Sequence, residues 1–410
     1  MNKTSLCMLA PEFLPVWGGV GSYTVELIKS LPKNVDIDVI TLKRSIKGMA
    51  NGNHNDAIVE SILKRKVNVH YLSESHENFF YNLSFQSNIF FRLPLISKKN
   101  NFDIIHSHLV HMPDVYLQLF RQTTVPTVVT LHGTIQMLRD HAIIARDLFH
   151  DLEAGEKSIL RFYPIIRQLQ DFYAKRVSHF IAVSKVTKEM ATKHLGVDPS
   201  KISLVYNGVD TDLFHLPNED ELNLRNSNPT IVYVGRIIAK KGIDILIKAM
   251  PDVLRVTPKA RFLFVGGGNT AFYQKLIESQ GVSTDNYSFT GHLGYLERSR
   301  VMREATIFVN PSFFENCSIS ILEAMSSGCA VIASKVGGNP ELIRSGRNGL
   351  LVPPFDHGAF AKSIISLLCD ESENRLLGKT ARMTVEQSFT SKKCAEETYK
   401  VYQKTIAEKH

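Results

Sequence analysis

Residues 310–340 read NPSFFENCSISILEAMSSGCAVIASKVGGNP and decide the fold of the second half of the chain. A short apolar run precedes them and reads as a buried strand, which Pro311 ends because proline cannot donate to a central ladder. Apolar residues then recur at helical spacing over 318–327, and Gly328 stands where a helix C-terminal cap is expected. Residues 330–333 predict the next strand. The stretch is therefore a strand–loop–helix–strand unit.

Two carboxylates lie in this unit, Glu315 on the loop and Glu323 inside the helix. The first N–H groups of a helix have no partner within it, and they carry the positive end of its dipole. After the second strand, Gly337 and Gly338 predict a tight turn that opens a further helix near Pro340. The loop is thus expected to place a carboxylate beside a site suited to an anion.

Length and composition indicate a soluble globular protein with two domains. The chain has 410 residues, of which 44% are hydrophobic and 21% charged. Five cysteines without a CxxC pair predict reduced thiols and a cytoplasmic location. No apolar run approaches the roughly 18 residues that span a bilayer. The apolar start of the chain stops at Pro11, which predicts a strand rather than a signal peptide.

Strands alternate with helices through the first half. A strand over 5–10 is followed by Gly18, Gly19 and Gly21 and then by a helix over 23–31. Glycines at this place let the backbone approach a ligand, although a tight connection alone would also explain them. The net charge of +8 suits a phosphate-bearing ligand or an anionic surface, and equally no particular partner. No nucleic acid partner is expected.

Two histidines, His108 and His132, follow strands of the first half. In an open parallel sheet, ligands bind just beyond the carboxyl ends of the strands. A lone histidine is more often structural, but the strand-end position favours a functional role for His132.

An aromatic cluster over 79–91 follows a polar segment, 43–66, that reads as an irregular surface loop. The cluster contains five phenylalanines and a tyrosine, and Lys98 and Lys99 come after it. It could form an acceptor pocket or a patch that contacts a membrane surface. A helix packed on the core is the alternative that the pattern favours.

The predicted fold class is α/β, with two doubly wound Rossmann-like domains. The first domain covers 1–215, and a polar, proline-bounded segment over 216–229 reads as the linker. The second domain covers 230–388 and begins with a strand over 230–234, a helix over about 243–256 and a strand over 261–265. The segment 389–410 predicts an amphipathic helix, over about 391–407, that packs back on the first domain.

Several motifs in series carry a family resemblance. They are the Glu315–seven residues–Glu323 pair, Gly-Arg-(four residues)-Lys-Gly at 235–242, Gly-Gly-Val-Gly at 18–21, and the shorter matches at 207–210 and 336–338. With these residues the chain resembles retaining nucleotide-sugar glycosyltransferases of the GT-B fold, glycosyltransferase family 4-like with glycosyl transferases group 1. The resemblance spans nearly the whole chain. It implies two domains that face each other across a cleft, the first on the acceptor side and the second on the donor side.

The resemblance also implies site residues. His132, Glu315, Arg236 and Lys241 would be catalytic, with Arg236 and Lys241 on the donor diphosphate. Glu315 would hold hydroxyls of the transferred sugar, Glu323 would accept hydrogen bonds from the ribose, and His292 would lie near the base. The remaining donor-binding positions would be Gly18, Gly19, Gly21, Gly235, Gly266, Asn316, Cys317, Ser318 and Ile319.

The implied reaction moves a sugar from a UDP- or GDP-sugar to a hydroxyl acceptor on a glycan, a lipid-linked molecule or a small molecule, with retained configuration. No cofactor besides the donor is expected, and no metal, because no Asp-x-Asp pair at a strand end suggests a required divalent ion, and the pair at 36–38 lies inside an alternating strand. A nucleotide-sugar binding protein without activity, or an epimerase or phosphorylase on the same fold, remains an alternative. Asn316-Cys317-Ser318 stand where the family often has Pro-Phe-Gly, which leaves the donor sugar open.

Overall fold

The chain forms two compact units in a computed structural model, which describes residues 3–14, 18–45, 56–76, 81–120, 123–149, 152 and 154–409. Unit 1 comprises residues 1–208 and 391–410, and unit 2 comprises residues 209–390. Each unit is an α/β fold around one parallel sheet. The predicted fold class of two doubly wound α/β domains is confirmed.

The strands run parallel throughout both sheets. In chain order they are β1 (Thr4–Leu9), β2 (Val35–Ser45), β3 (Asn68–His76), β4 (Ile104–His108), β5 (Thr127–Leu131), β6 (His179–Ala182), β7 (Ile202–Leu204), β8 (Thr230–Val234), β9 (Arg261–Val265), β10 (Tyr287–Gly291), β11 (Ile307–Asn310), β12 (Ala330–Ser334) and β13 (Leu350–Val352).

Helices cover the sheets and return the chain between successive strands. They are α1 (Gly19–Ser30), α2 (Asp56–Leu63), α3 (Tyr81–Asn100), α4 (Val115–Leu119), α5 (Ile135–Phe149), α6 (Ala154–Ala174), α7 (Lys185–Leu195), α8 (Glu219–Ser227), α9 (Ile243–Val256), α10 (Thr270–Ser279), α11 (Tyr295–Glu304), α12 (Ile319–Ser326), α13 (Asn339–Leu342), α14 (His357–Cys369), α15 (Glu371–Ser388) and α16 (Ser391–Ala407).

Both sheets have the same strand order around their centre. Unit 1 has the order β3-β2-β1-β4-β5-β6-β7, and unit 2 has the order β10-β9-β8-β11-β12-β13. The order reverses between β1 and β4 in unit 1 and between β8 and β11 in unit 2. Such a reversal leaves a crevice at the carboxyl ends of the two strands, where ligands of doubly wound proteins bind. Each unit therefore has one topologically expected ligand site.

Helix α16 belongs to unit 1 although it ends the chain. It packs against α1 and β6, and Tyr402 is fully buried. The Tyr402 hydroxyl lies against Nδ1 of His106 in β4, and Asn34 donates to the Tyr399 hydroxyl at 2.9 Å. The helix thereby closes one face of the unit 1 sheet. It begins at Ser391, two residues after the start of the predicted segment 389–410.

The predicted linker over 216–229 is wrong. Its residues form α8, which packs on α11 inside unit 2. Arg225 is buried, and its guanidinium donates to four backbone carbonyl oxygens, those of Met302, Arg303, Ser327 and Gly328. The segment looked like a linker because most of its polar residues are exposed to solvent, and Arg225 is the one polar residue of the segment that is buried. The units divide after residue 208 instead of after 215.

The predicted surface loop over 43–66 is also wrong in part, because β2 extends to Ser45 and α2 occupies Asp56–Leu63. In the aromatic segment, Phe79 and Phe80 lie outside the described residues. The rest belongs to α3, in which Phe85 and Ile89 are fully buried while Phe91 is 71% exposed. The helix therefore packs on the core, as the pattern favoured, and also presents apolar side chains to solvent. No helix in the described ranges has the length and apolar character needed to cross a membrane.

Candidate active site

The crevice of unit 2 holds an ion pair between two of the predicted residues. Lys241 lies on the turn after β8 and Glu315 on the loop after β11, so the reversal of strand order brings them together. Lys241 Nζ is 2.6 Å from Glu315 Oε1. Ser312 Oγ donates to the same oxygen at 2.8 Å and Asn310 Nδ2 at 3.4 Å. Three donors therefore fix one oxygen of the carboxylate.

The second oxygen of Glu315 has a different environment. Among the described residues, Oε2 accepts no hydrogen bond, while the side chain is 11% exposed. Burial alone would raise the pKa of Glu315, but the Lys241 ammonium and the hydrogen bonds from Lys241, Ser312 and Asn310 bring the pKa below its ordinary value. The carboxylate is thus held ionised, with one oxygen available to a hydroxyl donor.

Glycines of two neighbouring turns make close backbone contacts with the Glu315 loop. Gly338 N donates to the Glu315 carbonyl at 2.9 Å, and a Cβ on Gly337 would lie 1.9 Å from that carbonyl oxygen. A Cβ on Gly242 would lie 2.0 Å from the Pro311 carbonyl oxygen. Gly337 and Gly242 have positive φ, which side chains rarely adopt. These backbone contacts therefore fix the loop, and with it the position of the Glu315 carboxylate.

Glu323 forms a second ion pair deeper in unit 2. Its Oε1 is 2.7 Å from Nη2 of Arg298 on α11, and the Glu323 side chain is only 3% exposed. The Arg298 guanidinium also lies over the Tyr295 ring, 4.7 Å from its centroid. Burial raises the pKa of Glu323 above its ordinary value, and Arg298 opposes that rise. Arg298 is the partner that favours the charged form of this carboxyl group.

At the ends of β8, β9 and β10 the backbones lie so close together that a side chain would collide with a neighbouring strand. Gly235 N donates to Val265 O, and Gly266 N donates to Gly291 O, both at 2.9 Å. A Cβ on Gly266 would lie 1.9 Å from the Gly235 carbonyl oxygen. The His292 imidazole lies next to Gly267, whose Cβ would be 2.4 Å from Nε2. Gly235, Gly266 and His292 thus share one edge of the sheet.

Arg236 is exposed, next to this edge, and Tyr233 donates to its carbonyl at 2.8 Å. Helix α12 begins after the Glu315 loop, with the Ser318 side chain accepting from Ile321 N as its N-cap. Cys317 and Ser318 are buried, whereas Asn316 and Ile319 are partly exposed. The loop and the start of α12 therefore follow one another along the same crevice.

The crevice of unit 1 contains three histidines that lie close together. His132 Nε2 is 3.2 Å from His108 Nδ1, and the Tyr23 ring lies edge-on to His132 with centroids 4.9 Å apart. His106 Nε2 is 2.8 Å from the Thr130 hydroxyl. Burial lowers the pKa of His132 to about 3, helped by His111, and it lowers the pKa of His106 to about 3 as well. These imidazoles are neutral at physiological pH.

The glycine motif of unit 1 opens α1. Gly18 is the N-cap residue, and its N–H donates to Glu12 Oε2 at 3.2 Å. A Cβ on Gly18 would lie 2.8 Å from the same carboxylate oxygen, whereas a Cβ on Gly19 would meet nothing within 4 Å. Gly21 is buried in the first turn. A carboxylate of the chain therefore occupies the start of α1.

Four contributing residues were not singled out from the sequence, namely Arg298, Ser312, Asn310 and Thr24, whose Oγ1 lies 3.2 Å from His108 Nε2. Arg298 carries a signal in retrospect, because a glutamate inside an apolar helix needs a cation nearby. The other three are short polar side chains whose partners depend on the strand order. Nothing in their local sequence distinguishes them from surface residues.

Comparison with known proteins decides the family. The family model described as Glycosyltransferase Family 4 matches residues 17–213, and the one described as Glycosyl transferases group 1 matches residues 228–370. The chain belongs to the GT-B glycosyltransferases. The predicted enzyme class, a transferase of class EC 2.4, is confirmed with the family.

Relatives that match this glycosyltransferase along nearly its whole length carry diverse names. The alpha-maltose-1-phosphate synthase of Mycolicibacterium smegmatis is 27% identical over 98% of the chain and 100% of its own length. The phosphatidylinositol N-acetylglucosaminyltransferase of Homo sapiens has a subunit that is 26% identical over 98% of the chain and 77% of its own length. The Anabaena protein HepE, solved in complex with UDP and glucose, has a TM-score of 0.72 at 19% identity, covering 97% of the chain and 99% of its own.

Proposed function

We propose that this glycosyltransferase moves a sugar from a nucleoside-diphosphate sugar to a hydroxyl acceptor, with retained configuration and without a metal ion. The observation that carries the proposal is the Lys241–Glu315 pair at the point where the strand order of unit 2 reverses. It places a cation and a carboxylate at the site where this fold binds ligands. The cation suits a diphosphate, and the carboxylate suits sugar hydroxyls.

The chemistry needs stabilisation of the leaving diphosphate as the glycosidic bond breaks. Lys241 and the exposed Arg236 would supply fixed positive charge there, which is worth most where water is excluded. Glu315 would accept hydrogen bonds from the transferred sugar through Oε2. Glu323, paired with Arg298, would accept hydrogen bonds from the ribose. His132 would accept a hydrogen bond from a substrate hydroxyl.

The same residues would serve a nucleotide-sugar binding protein that lacks turnover, which is the second candidate. Binding therefore needs a separate test from catalysis. A panel of UDP, GDP, ADP and their common glucose, N-acetylglucosamine and mannose conjugates is compared by thermal melting. A ligand of the folded state raises the melting temperature with its occupancy. We expect one nucleotide series to raise it, and the UDP complex of HepE favours the UDP series.

Turnover is then measured as release of the nucleotide from the conjugate that the panel selects, with and without candidate acceptors. Retention is read from the anomeric proton of the product by NMR, and the metal requirement from activity in EDTA. Loss of all activity in EDTA would contradict the metal-independent mechanism. If no nucleotide or conjugate shifts the melting temperature, the donor proposal fails. A shift without release toward any acceptor would favour the binding protein.

An exposed apolar and basic surface suggests where a lipid-linked acceptor would be met. We name it the α3 patch, and it comprises Phe90, Phe91, Arg92, Leu95, Lys98, Lys99 and Phe120. Phe91, Leu95 and Phe120 are 71%, 62% and 60% exposed. The Phe90 ring lies 5.0 Å from Phe91 and 5.4 Å from Phe120 between centroids. Helix α3 has three basic residues and no acidic one.

Such a combination fits the surface of an anionic membrane, where rings enter the interface and cations meet lipid phosphates. We therefore propose a peripheral contact at the cytoplasmic face of a membrane, in line with the lipid named for the human relative. The protein should sediment with vesicles containing phosphatidylglycerol and not with pure phosphatidylcholine. The double variant Phe91→Ser/Leu95→Ser should lose sedimentation, whereas Leu376→Ser, at an equally exposed site on α15, should retain it. Wild-type protein that stays in the supernatant at low salt would refute the contact.

A further inference from the structure

The protons of the unit 1 crevice can be placed from one hydroxyl group. Thr24 Oγ1 in α1 is 2.9 Å from the carbonyl oxygen of Val20, one helical turn earlier. A carbonyl oxygen has no proton, so the single hydroxyl proton of Thr24 is donated to it. His108 Nε2 is 3.2 Å from the same Oγ1. Thr24 can therefore only accept a hydrogen bond from His108.

The direction of this bond fixes the tautomers of two histidines in turn. His108 must carry its proton on Nε2, and a neutral imidazole carries only one, so its Nδ1 is an acceptor. Nδ1 of His108 is 3.2 Å from Nε2 of His132. His132 must then carry its own proton on Nε2, which leaves its Nδ1 without one. The hydrogen bonds therefore all have the same direction. His132 donates to His108, His108 donates to Thr24, and Thr24 donates to the carbonyl oxygen of Val20.

Both imidazole rings are neutral, as this series of hydrogen bonds requires. Burial lowers the pKa of His108 well below its ordinary value, and His106, His132 and His111 add to the effect. The pKa of His132 is about 3 for the same main reason. The His132 ring is also held in place by the edge of the Tyr23 ring. Neither imidazole has a second proton that would make the direction ambiguous.

We propose that Thr24 and His108 are positioning residues that keep His132 in the tautomer whose Nδ1 accepts a hydrogen bond. His132 would then present an acceptor, not a donor, to substrate. This matches a hydroxyl group on a sugar or an acceptor, which has a proton to donate. The tautomer assignment concerns unit 1 alone, while its use in turnover rests on the proposed function.

The tautomers are measured by NMR on protein labelled with ¹⁵N in its histidines, because two-bond ¹⁵N–¹H spectra distinguish the protonated from the bare ring nitrogen. The signals are assigned by their loss in His132→Gln and His108→Gln. Wild-type protein should show both rings protonated on Nε2 and bare on Nδ1. In Thr24→Val the hydroxyl is gone, and both rings should change to the Nδ1-protonated form. Thr24→Ser keeps a hydroxyl and should restore the wild-type pattern.

A wild-type spectrum with His132 protonated on Nδ1, or a pattern unchanged in Thr24→Val, would overturn the proposal. Thermal melting reports whether each variant is folded, and the wild-type spectrum decides the assignment even where a variant is not. With the sugar nucleotide selected by the melting panel, Thr24→Val should lower kcat about tenfold, the value of one hydrogen bond, while KM stays the same. Changed tautomers with unchanged kcat would uphold the positioning and instead reject the substrate contact of His132.

Discussion

The crevices of the two units occupy the same topological place but hold their polar groups differently. In unit 2 the side chains are charged and paired, Lys241 with Glu315 and Arg298 with Glu323. In unit 1 most are imidazoles and hydroxyls joined by hydrogen bonds, the buried histidines His106 and His132 are neutral, and the Glu12 carboxylate lies at the start of α1. The common strand order fixes where the side chains lie, and the residue types decide what they can bind.

This difference suggests a division of labour. Paired charges keep ionised groups in a buried place and can be rearranged around an anionic ligand, which suits a diphosphate. Neutral donors and acceptors recognise hydroxyl groups without attracting ions. A transferase for sugars needs both kinds of recognition. Breaking each kind separately should therefore change different properties of the protein.

The largest effect is expected for Lys241→Ala, which removes the cation from the proposed diphosphate site. We expect kcat/KM for the donor to fall about 100-fold, the usual loss when one fixed stabilising group is removed. The fold should survive because Glu315 can take up a proton once its ammonium partner is gone. Steady-state kinetics and thermal melting measure the two properties. Lys362→Ala, an exposed charge on α14, is the matched control, and equal losses in both variants would contradict a specific role.

Arg298→Gln should make nucleotide binding depend on pH. Without its guanidinium, the already raised pKa of Glu323 rises further, so the carboxyl group becomes protonated at a higher pH. Affinity for UDP should fall at least about tenfold near pH 6 and less near pH 8, since the carboxylate returns as pH rises. Isothermal titration calorimetry at the two pH values measures it.

The control for this variant is Arg303→Gln on the same helix. Arg303 pairs with Glu221 at 2.8 Å, and both side chains are similarly buried. Its loss should lower stability and leave UDP affinity unchanged at both pH values. A drop in affinity for Arg303→Gln equal to that of Arg298→Gln would show that loss of a buried ion pair, not Glu323, is responsible.

In unit 1 the expected effect is on stability in acid. The folded pKa of His106 is about 3, below its ordinary value, so the unfolded chain binds a proton more readily between these values. The free energy of unfolding is therefore unaffected by this histidine above about pH 6.5 and falls as pH is lowered. For one histidine the loss is about 1.4 kcal/mol near pH 5.5. His106→Gln should reduce the pH dependence of the unfolding free energy of unit 1 by this amount. His357→Gln, at an exposed position, should leave this pH dependence as in wild type. Urea unfolding above about pH 6.5 and near pH 5.5 measures it in both variants.

The smallest effect is expected for Ser312→Ala. It removes one of three hydrogen bonds to Glu315 Oε1 and leaves the Lys241 ion pair in place. Donor kcat/KM should fall about fivefold, as for one hydrogen bond of ordinary strength. Ser366→Ala, exposed on α14, serves as the control in the same assay. A loss as large as that of Lys241→Ala would mean that Ser312 itself contacts the donor.

Much of the fold could be predicted because the buried strands and amphipathic helices have strong periodicity. The strands over 230–234 and 261–265 and the helices over 243–256 and 391–407 were predicted with the bounds observed. Gly328 has the positive φ expected of a residue after a helix end. These elements depend on local pattern, which a single sequence contains.

The errors and omissions of the prediction arise where tertiary contacts, and not the local sequence pattern, determine the structure. The predicted linker contains Arg225, whose four carbonyl partners come from α11 and the end of α12 and are far away in sequence. The pairing of Glu323 with Arg298, 25 residues apart, follows only from the packing of α11 on α12. The residue types at the sites were predictable, but which of them pair with each other was not. The roles proposed for them remain predictions.

The two places where the chain crosses between units are joined to each other. Val209, where unit 2 begins, forms a parallel bridge with Thr390, where it ends, and Val209 N donates to Phe389 O at 3.0 Å. A segment whose ends already meet costs little loop-closure entropy when it is inserted into another chain. The geometry of its ends would therefore allow residues 209–390 to be exchanged as one segment during evolution. Recombination at this place would exchange unit 2 as one piece while leaving α16 and the sheet of unit 1 intact.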